Sequence, residues 1–372
     1  MNHDSRLKEK LDQRFEENSL RKLEAPDGLI DFCSNDYLGF SRSKELSDKI
    51  DRLDVPEIRN LVGSGASRLI SANNPFAEKI EQNLCQLLDS QSALLFNSGY
   101  NSNLGFFGAV PQRGDVVIYD EFIHASIRDG LKMGLARSFS FAHNSLADLT
   151  SKIDSVDSGV SIFVVVESVY SMDGDSPDLV SVANLCEQRN CHLVVDEAHA
   201  FGVFGEHGEG RVVELGIQDQ VYARIITFGK ALGCHGAAIL GSATLVSYLV
   251  NYARSLIYTT MMSVGDQKAI FCALDHMSNV EFKSLKTKKL INLFKSLIEE
   301  KGLELISSES NVQSIVFSGV EEVKNKEQNL RDNGFWVKAI LSPTVPKGME
   351  RIRVCIHEFN TEEEVRKLVN CL

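Results

Sequence analysis

The sequence predicts an α/β protein with a large, mostly parallel sheet flanked by helices, followed by a smaller α+β unit. Three observations predict it. Between about residues 76 and 240, short apolar runs alternate with helical patterns, which is the signature of βαβ units around a sheet buried on both faces. After about residue 265 the alternation gives way to a charged amphipathic helix, three strand-like runs and a closing helix. The 372 residues are 43% hydrophobic and 24% charged, the mix of a globular protein with a large core.

In chain order, residues 5–22 place Leu7, Leu11, Phe15 and Leu20 near one face of a charged N-terminal helix. A short extended piece, LIDFCSNDYLGF (29–40), follows. The helical pattern FAEKIEQNLCQLLDS then leads into the apolar run SALLFNSG. Further strands are expected at VVIYD (116–120), SIFVVVES (161–168), HLVVD (192–196) and RIITF (224–228), with DLVSVANLCEQRN (178–190) as one intervening helix. GAAILGSATLVSYLVNYA (236–253) carries four polar residues and reads as a buried strand plus helix, not a membrane span. Beyond it, residues 286–303 form a helix, and 310–319, 335–341 and 351–357 form strands. The closing helix at 361–372 has Thr361 as N-cap and Glu364 three residues on. This divides the chain into an N-terminal segment (1–45), a large α/β domain (46–265) and a small C-terminal domain (266–372).

The net charge of -12 argues against nonspecific nucleic-acid binding, which needs a basic surface. It leaves room for a basic pocket and an anionic substrate. The N-terminus lacks the apolar core of a signal peptide. The eight cysteines are scattered, with no C-x-x-C pair and no Cys/His cluster at zinc spacing. That points to reduced thiols in a cytoplasmic protein and to no metal site.

The polar residues of interest sit just beyond apolar runs, where an open α/β sheet binds its ligands. Asn97, Ser98, Gly99 and Tyr100 follow ALLF; Ser168 and Ser171 follow IFVVVE; Asp196 and His199 follow HLVV; Thr227 and Lys230 follow RIIT. Each has a plain alternative. Asp196 could cap a helix, His199 could be a satisfied core histidine, Gly99 could permit a turn and Lys230 could be solvated. Their joint occurrence argues for a site.

The string DEAH (196–199) occurs in nucleoside-triphosphatases, but that chemistry needs a G-x-x-x-x-G-K-[ST] loop. Gly229-Lys230 is followed by Ala231, and GSGAS (63–67) has no lysine. A dinucleotide-binding G-x-G-x-x-G between a first strand and its helix is also missing. A lysine, a buried Asp and a glycine turn instead suit pyridoxal 5′-phosphate. The amine can form a Schiff base, the carboxylate can hold the pyridine nitrogen protonated, and backbone N–H groups at a helix N-terminus can hold the phosphate.

The motifs SNDYLGF (34–40), GSGASRLIS (63–71), LLFNSGYNSNLG (94–105), HASI (124–127), ESVYSMDGD (167–175), VVDEAHAFGVFGEHGEG (194–210), TFGKALG (227–233), IYTT (257–260) and PTVPKGMERIRV (343–354) together resemble the α-oxoamine synthases. These form a branch of the fold-type-I pyridoxal-phosphate transferases, which share the aspartate aminotransferase-like fold. The resemblance runs over nearly the whole chain. It implies decarboxylative condensation of an amino acid with an acyl thioester of CoA or a carrier protein, in a homodimer with shared sites. It further implies Lys230 as the Schiff-base lysine and Asp196 as the partner of the pyridine nitrogen. His199 and Ser171 would address the phenolic oxygen, and His124 would stack on the ring. Thr227 and the Gly99–Tyr100 backbone would hold the phosphate, joined by Thr260 from the neighbouring subunit. Asn35 and Arg353 would bind the amino-acid carboxylate, and Arg21 would face the far end of the acyl group.

Three departures from the family pattern touch the acyl side. Ala77 stands where many relatives carry a histidine, the link from Arg21 to Ser34 is short, and Leu341-Ser342 precede PTVP where some relatives offer a basic residue. The subgroup most resembled joins L-alanine to a pimeloyl thioester. Glycine with an acetyl thioester and serine with a long acyl chain are the alternatives inside the family, and a noncatalytic subunit is the alternative outside it.

Overall fold

The structure, a computed structural model, describes residues 3–59, 61–279 and 284–372. Seven strands build the main sheet: β2 (Ser92–Phe96), β3 (Val116–Asp120), β4 (Arg137–Phe141), β5 (Ile162–Glu167), β6 (His192–Asp196), β7 (Val221–Thr227) and β8 (Ala237–Gly241), in the spatial order β2-β8-β7-β6-β5-β3-β4. Only β8 runs against the others. Consequently Phe96, Asp120, Glu167, Asp196 and Thr227 all end at one edge of the sheet. Every residue of β5 is buried, as expected of a central strand with helices on both faces.

Sequence and structure agree closely for the central strands, and differ at the margins for physical reasons. β4 (RSFSF) was not expected, because an edge strand with a mostly exposed, polar alternation gives little apolar signal. The N-terminal helix runs only over His3–Glu16 and buries none of its residues, so Leu7, Leu11 and Phe15 stay exposed. Leu20 lies beyond its end. The run 335–341 splits into β10 (Phe335–Trp336) and β11 (Lys338–Ile340), which belong to different sheets. Thr361 does form a capping box with Glu364 before the helix Glu362–Asn370.

The C-terminal unit centres on an antiparallel sheet of β11, β12 (Arg351–Cys355) and β9 (Val312–Val316). The N-terminal extended piece belongs to it physically. β1 (Ile30–Asp31) pairs in parallel with β10, Phe32 is buried in the same core as Leu290, Phe294 and Ile352, and Cys355 N donates to Phe32 O at 2.8 Å.

Two glycines show how the two units meet. Gly174, in the loop after β5, has φ +74°, and a Cβ there would run into Val312 O of β9. Ser308 Oγ and Ser310 Oγ donate to its carbonyl at 2.8 and 2.9 Å. Gly233, three residues beyond Lys230, has φ +61°, and a Cβ there would collide with the Ser41 backbone. Any larger residue at either position would separate the strand-end loops from their neighbours. No helix among the described residues is long and apolar enough to cross a membrane.

Candidate active site

The sheet edge gathers the residues that the sequence singled out. Asp196 closes β6 and is 5% exposed. Its Oδ1 accepts from Ala198 N at 2.9 Å and its Oδ2 from Asn103 Nδ2 at 3.0 Å. Residues 198–203 form turns and not a helix, so Asp196 closes a turn instead of capping a helix, and the Asn103 contact is one that the turn does not need. Asn103 Nδ2 also donates to Ser126 Oγ at 3.0 Å. Ser126 in turn supplies its backbone N–H (3.2 Å) and its hydroxyl (2.7 Å) to His124 Nδ1. With Nδ1 accepting, the proton of a neutral ring is assigned to Nε2.

His124 caps the helix Ala125–Met133 and opens onto the cleft. Protein atoms crowding it lower its pKa, an effect opposed by Asp196 and aided by Lys230. Its backbone N–H is held by Glu167 Oε1 at 2.5 Å. Glu167 is 3% exposed and stands in register with Asp196 across β5 and β6. Burial, reinforced by the Asp196 charge, pushes its pKa well above the carboxylate range. Its Oε1 fixes the backbone that carries His124.

Lys230 sits in the tight loop joining β7 to β8, closed by Gly233 N to Lys230 O at 2.8 Å. Burial lowers its pKa, with Asp196 and Glu167 pulling the other way. A lysine held in this way offers its neutral amine more readily than a solvated one. Thr227 Oγ1 donates to Gly236 O at 3.1 Å and lies 3.6 Å from where a Gly99 Cβ would be. Gly99 and Tyr100 open the helix Gly99–Ala109, whose cap is Ser98.

His199 is pinned by Tyr37, whose Oη lies 2.7 Å from His199 Nδ1. Burial, with Lys230, Arg353 and His124 nearby, pushes its pKa well down, so the ring is neutral. Tyr37 Oη donates to Asn35 Oδ1 at 3.2 Å, and that oxygen also accepts from Arg353 Nη2 at 2.8 Å. Arg353 Nε donates to Ser171 O at 2.7 Å. Asn35, Ser171, His199 and Arg353 are thus one connected group, although they come from four distant parts of the chain. Thr260 is exposed, and its carbonyl accepts from Asn97 Nδ2 at 2.6 Å. Arg21 lies apart from these residues, lining a separate cleft of about 670 Å³.

Four partners escaped the sequence reading: Asn103, Ser126, Glu167 and Tyr37. All lie inside motifs quoted above, but nothing in their spacing shows what they touch. The reverse case is Glu197. In DEAH it looks functional, yet it is fully buried and accepts from Arg224 Nε (2.9 Å) and Nη2 (2.6 Å) and from Val212 N (3.0 Å). It fastens the loop beyond His199. Ala77 is fully buried in the core, so this departure leaves the cleft untouched. His143, Asp173 and Asp175 lie close enough to suggest an ion site. Each already has a partner, however: His143 bridges Asp120 and Asp175, and Asp173 pairs with Arg351.

The donor set fits pyridoxal 5′-phosphate. A half-buried amine of lowered pKa, a hydrogen-bonded carboxylate and a helix N-terminus beside a threonine meet the needs of its aldehyde, ring nitrogen and phosphate.

Comparison with known proteins agrees with this fit. The sequence model of class I and II aminotransferases matches residues 27–372. The chain is 37% identical to an 8-amino-7-oxononanoate synthase of Emericella nidulans, over 98% of this chain and 94% of that protein. It is 36% identical to one of Marinobacter nauticus, over 92% and 86%. Among solved structures, the 8-amino-7-oxononanoate synthase of Francisella tularensis superposes with a TM-score of 0.80 at 27% identity, over 93% of this chain and 97% of that one. A Sphingomonas wittichii serine palmitoyltransferase superposes with a TM-score of 0.88 at 23% identity, over 99% and 95%. At that identity the second likeness speaks for the fold alone.

Proposed function

Because the chain belongs to the class I and II aminotransferase family and is similar over nearly its full length to 8-amino-7-oxononanoate synthases, we infer that it condenses L-alanine with a pimeloyl thioester. The products are 8-amino-7-oxononanoate, CO₂ and the free thiol, in biotin synthesis. It is a pyridoxal 5′-phosphate-dependent acyltransferase of the fold-type-I class. The observation that carries the reading is the Lys230 amine beside Asp196 at the strand ends, in a chain with such relatives. A noncatalytic subunit has no use for that pair.

The cofactor, when bound, supplies an electron-withdrawing ring that stabilises negative charge at the α-carbon of the amino acid. In our reading Lys230 holds the cofactor at rest and moves the α-proton during turnover. Asp196 holds a proton at the ring nitrogen, and Asn103 fixes the carboxylate that does so. His124 covers one ring face, kept in place by Ser126 and Glu167. His199 and Ser171 address the phenolic oxygen. Thr227 and the N–H groups of Gly99 and Tyr100 bind the phosphate, with Thr260 of the partner subunit completing the site in a homodimer. Arg353 and Asn35 orient the amino-acid carboxylate. Nothing in this assignment needs a membrane, nucleic acid or metal, and a cytoplasmic location fits it.

The test is thiol release from acetyl, pimeloyl and palmitoyl thioesters, each with glycine, alanine and serine. Pimeloyl with alanine should be fastest. Glycine should still react slowly, since one methyl group is worth only about 1–3 kcal/mol. A preference for palmitoyl with serine, or acetyl with glycine, would move the chain to a sister activity.

A further inference from the structure

Two clefts meet beside the strand ends. One, of about 660 Å³, is lined by His124 and Ser171. The other, of about 670 Å³, lies against the C-terminal unit. Both include Met172 and Ser342–Thr344, so an acyl chain leaving the first enters the second. The far cleft is basic in a chain of net charge -12. Arg14, Arg21, Lys22, Lys324, Arg331 and Lys338 line it, against Glu24 and Glu327.

At its wall stands a built carboxylate site. Arg331 Nη1 and Nη2 donate to Glu24 Oε1 and Oε2 at 2.9 and 3.1 Å, a two-point fork, and Lys338 Nζ adds a third donor to Oε2. Both cations rest on the ring of Trp336, each 4.8 Å from its centroid. The indole fixes their spacing by cation–π attraction. Lys338 begins β11 and Ser342, where the two clefts join, lies four residues on, so the donors stand about 13 Å along the extended chain from that junction. Arg21 has no comparable framework: among the described residues, no hydrogen bond or ring contact holds its guanidinium.

We propose that Arg331 and Lys338 form the receptor for the far carboxylate of the acyl donor, and that Glu24 occupies it as the chain's own stand-in until substrate arrives. The proposal rests on the reading above, in which the acyl group ends in a carboxylate. Binding is then an exchange of one carboxylate for another on the same fork. An acyl group ending in methyl cannot make that exchange and leaves Glu24 in place. These two residues therefore set acyl specificity, and the short segment carrying Glu24 lifts from the cleft as the substrate seats.

The experiment compares binding of pimeloyl-CoA and heptanoyl-CoA, which differ only in the terminal carboxylate, to the holoenzyme by titration calorimetry without amino acid. Wild type should favour pimeloyl-CoA about tenfold, the scale of charge-assisted hydrogen bonds at a partly exposed site. Arg331→Met should abolish that preference, and Arg331→Lys, which keeps the charge but loses the fork, should retain part of it. Glu24→Gln should raise the preference several-fold by removing the internal competitor. A preference unchanged in Arg331→Met, or lost in Arg21→Ala but kept in Arg331→Met, overturns the proposal. So does a Glu24→Gln protein whose preference fails to rise, since Glu24 would then be only a fastening. Product formation from L-alanine and pimeloyl-CoA by wild type is measured separately. Its failure would sink the substrate reading, whereas the binding ratios judge the receptor.

Discussion

Glu167 and Asp196 stand side by side in register on adjacent strands, two buried carboxyl groups with different tasks. Asp196 faces Asn103 and the Ala198 backbone, while Glu167 holds the backbone N–H of His124. A neutral amide keeps the oxygen that accepts from the His124 N–H, and burial already disfavours the charged carboxylate at this position. Glu167→Gln should keep most of the wild-type rate. Glu167→Ala, which orphans the His124 N–H, should cost about 1–3 kcal/mol of stability. Asp196→Asn should fold normally and lose on the order of 10² or more in kcat, because an amide cannot hold the ring nitrogen protonated. Equal losses in Glu167→Gln and Asp196→Asn would show that the two carboxyls are not divided in this way.

Lys230 should carry the cofactor. Borohydride reduction followed by peptide mapping is expected to place the pyridoxyl group on the peptide containing Lys230. Lys230→Ala should show no such label. A label on any other lysine would falsify the assignment.

Shared sites predict complementation. Lys230→Ala and an inactive Thr260 variant, mixed and allowed to exchange subunits, should regain part of the wild-type rate through hybrid dimers. Sedimentation should show a dimer, and an active monomer would contradict the role given to Thr260.

His143 predicts a pH slope in stability. Burial alone would lower its pKa, but the hydrogen bonds it donates to Asp120 and Asp175 outweigh that and raise the value to about 10, against 6.5 for a free imidazole. Between those limits the folded chain binds a proton that the unfolded chain does not. Its stabilisation is therefore complete below pH 6.5 and is lost as pH rises toward 10, with a slope of at most about 1.4 kcal/mol per pH unit. Thermal melts from pH 6 to 10 should show this fall, and His143→Gln should flatten it. A wild-type slope that survives in His143→Gln would assign the effect elsewhere.

The sequence was most legible where burial is most complete. VVIYD and HLVVD mark β3 and β6 residue for residue, because a strand covered on both faces must be a continuous apolar run. β4 was invisible because an edge strand has one wet face. The site divides along the same line. Lys230, Asp196 and His199 follow strands and could be located by position alone. Their fixers could not: Asn103 is 93 residues from Asp196 and Tyr37 is 162 from His199, and the spacing of letters carries no trace of such contacts. The Arg331–Lys338 fork was missed for another reason. Both are charged residues on ordinary elements, and only their common footing on Trp336 distinguishes them from solvated neighbours.

The pairing of β1 with β10 has a bearing on biosynthesis. Asn360 Nδ2 reaches Asp31 O across 329 positions, and Phe32 belongs to the core that Leu330, Ile352 and Leu368 complete. On the ribosome, residues 30–32 emerge well before Ile352, Asn360 and Leu368 and find these partners only after the C-terminal unit has been made. Until then Phe32 and the incomplete C-terminal sheet stay uncovered, the kind of surface through which nascent chains associate with one another. The main sheet can close while synthesis continues, but the cleft between the two units cannot. The Arg353–Asn35 bond, which spans 318 positions, therefore forms only after the C-terminal unit has been made.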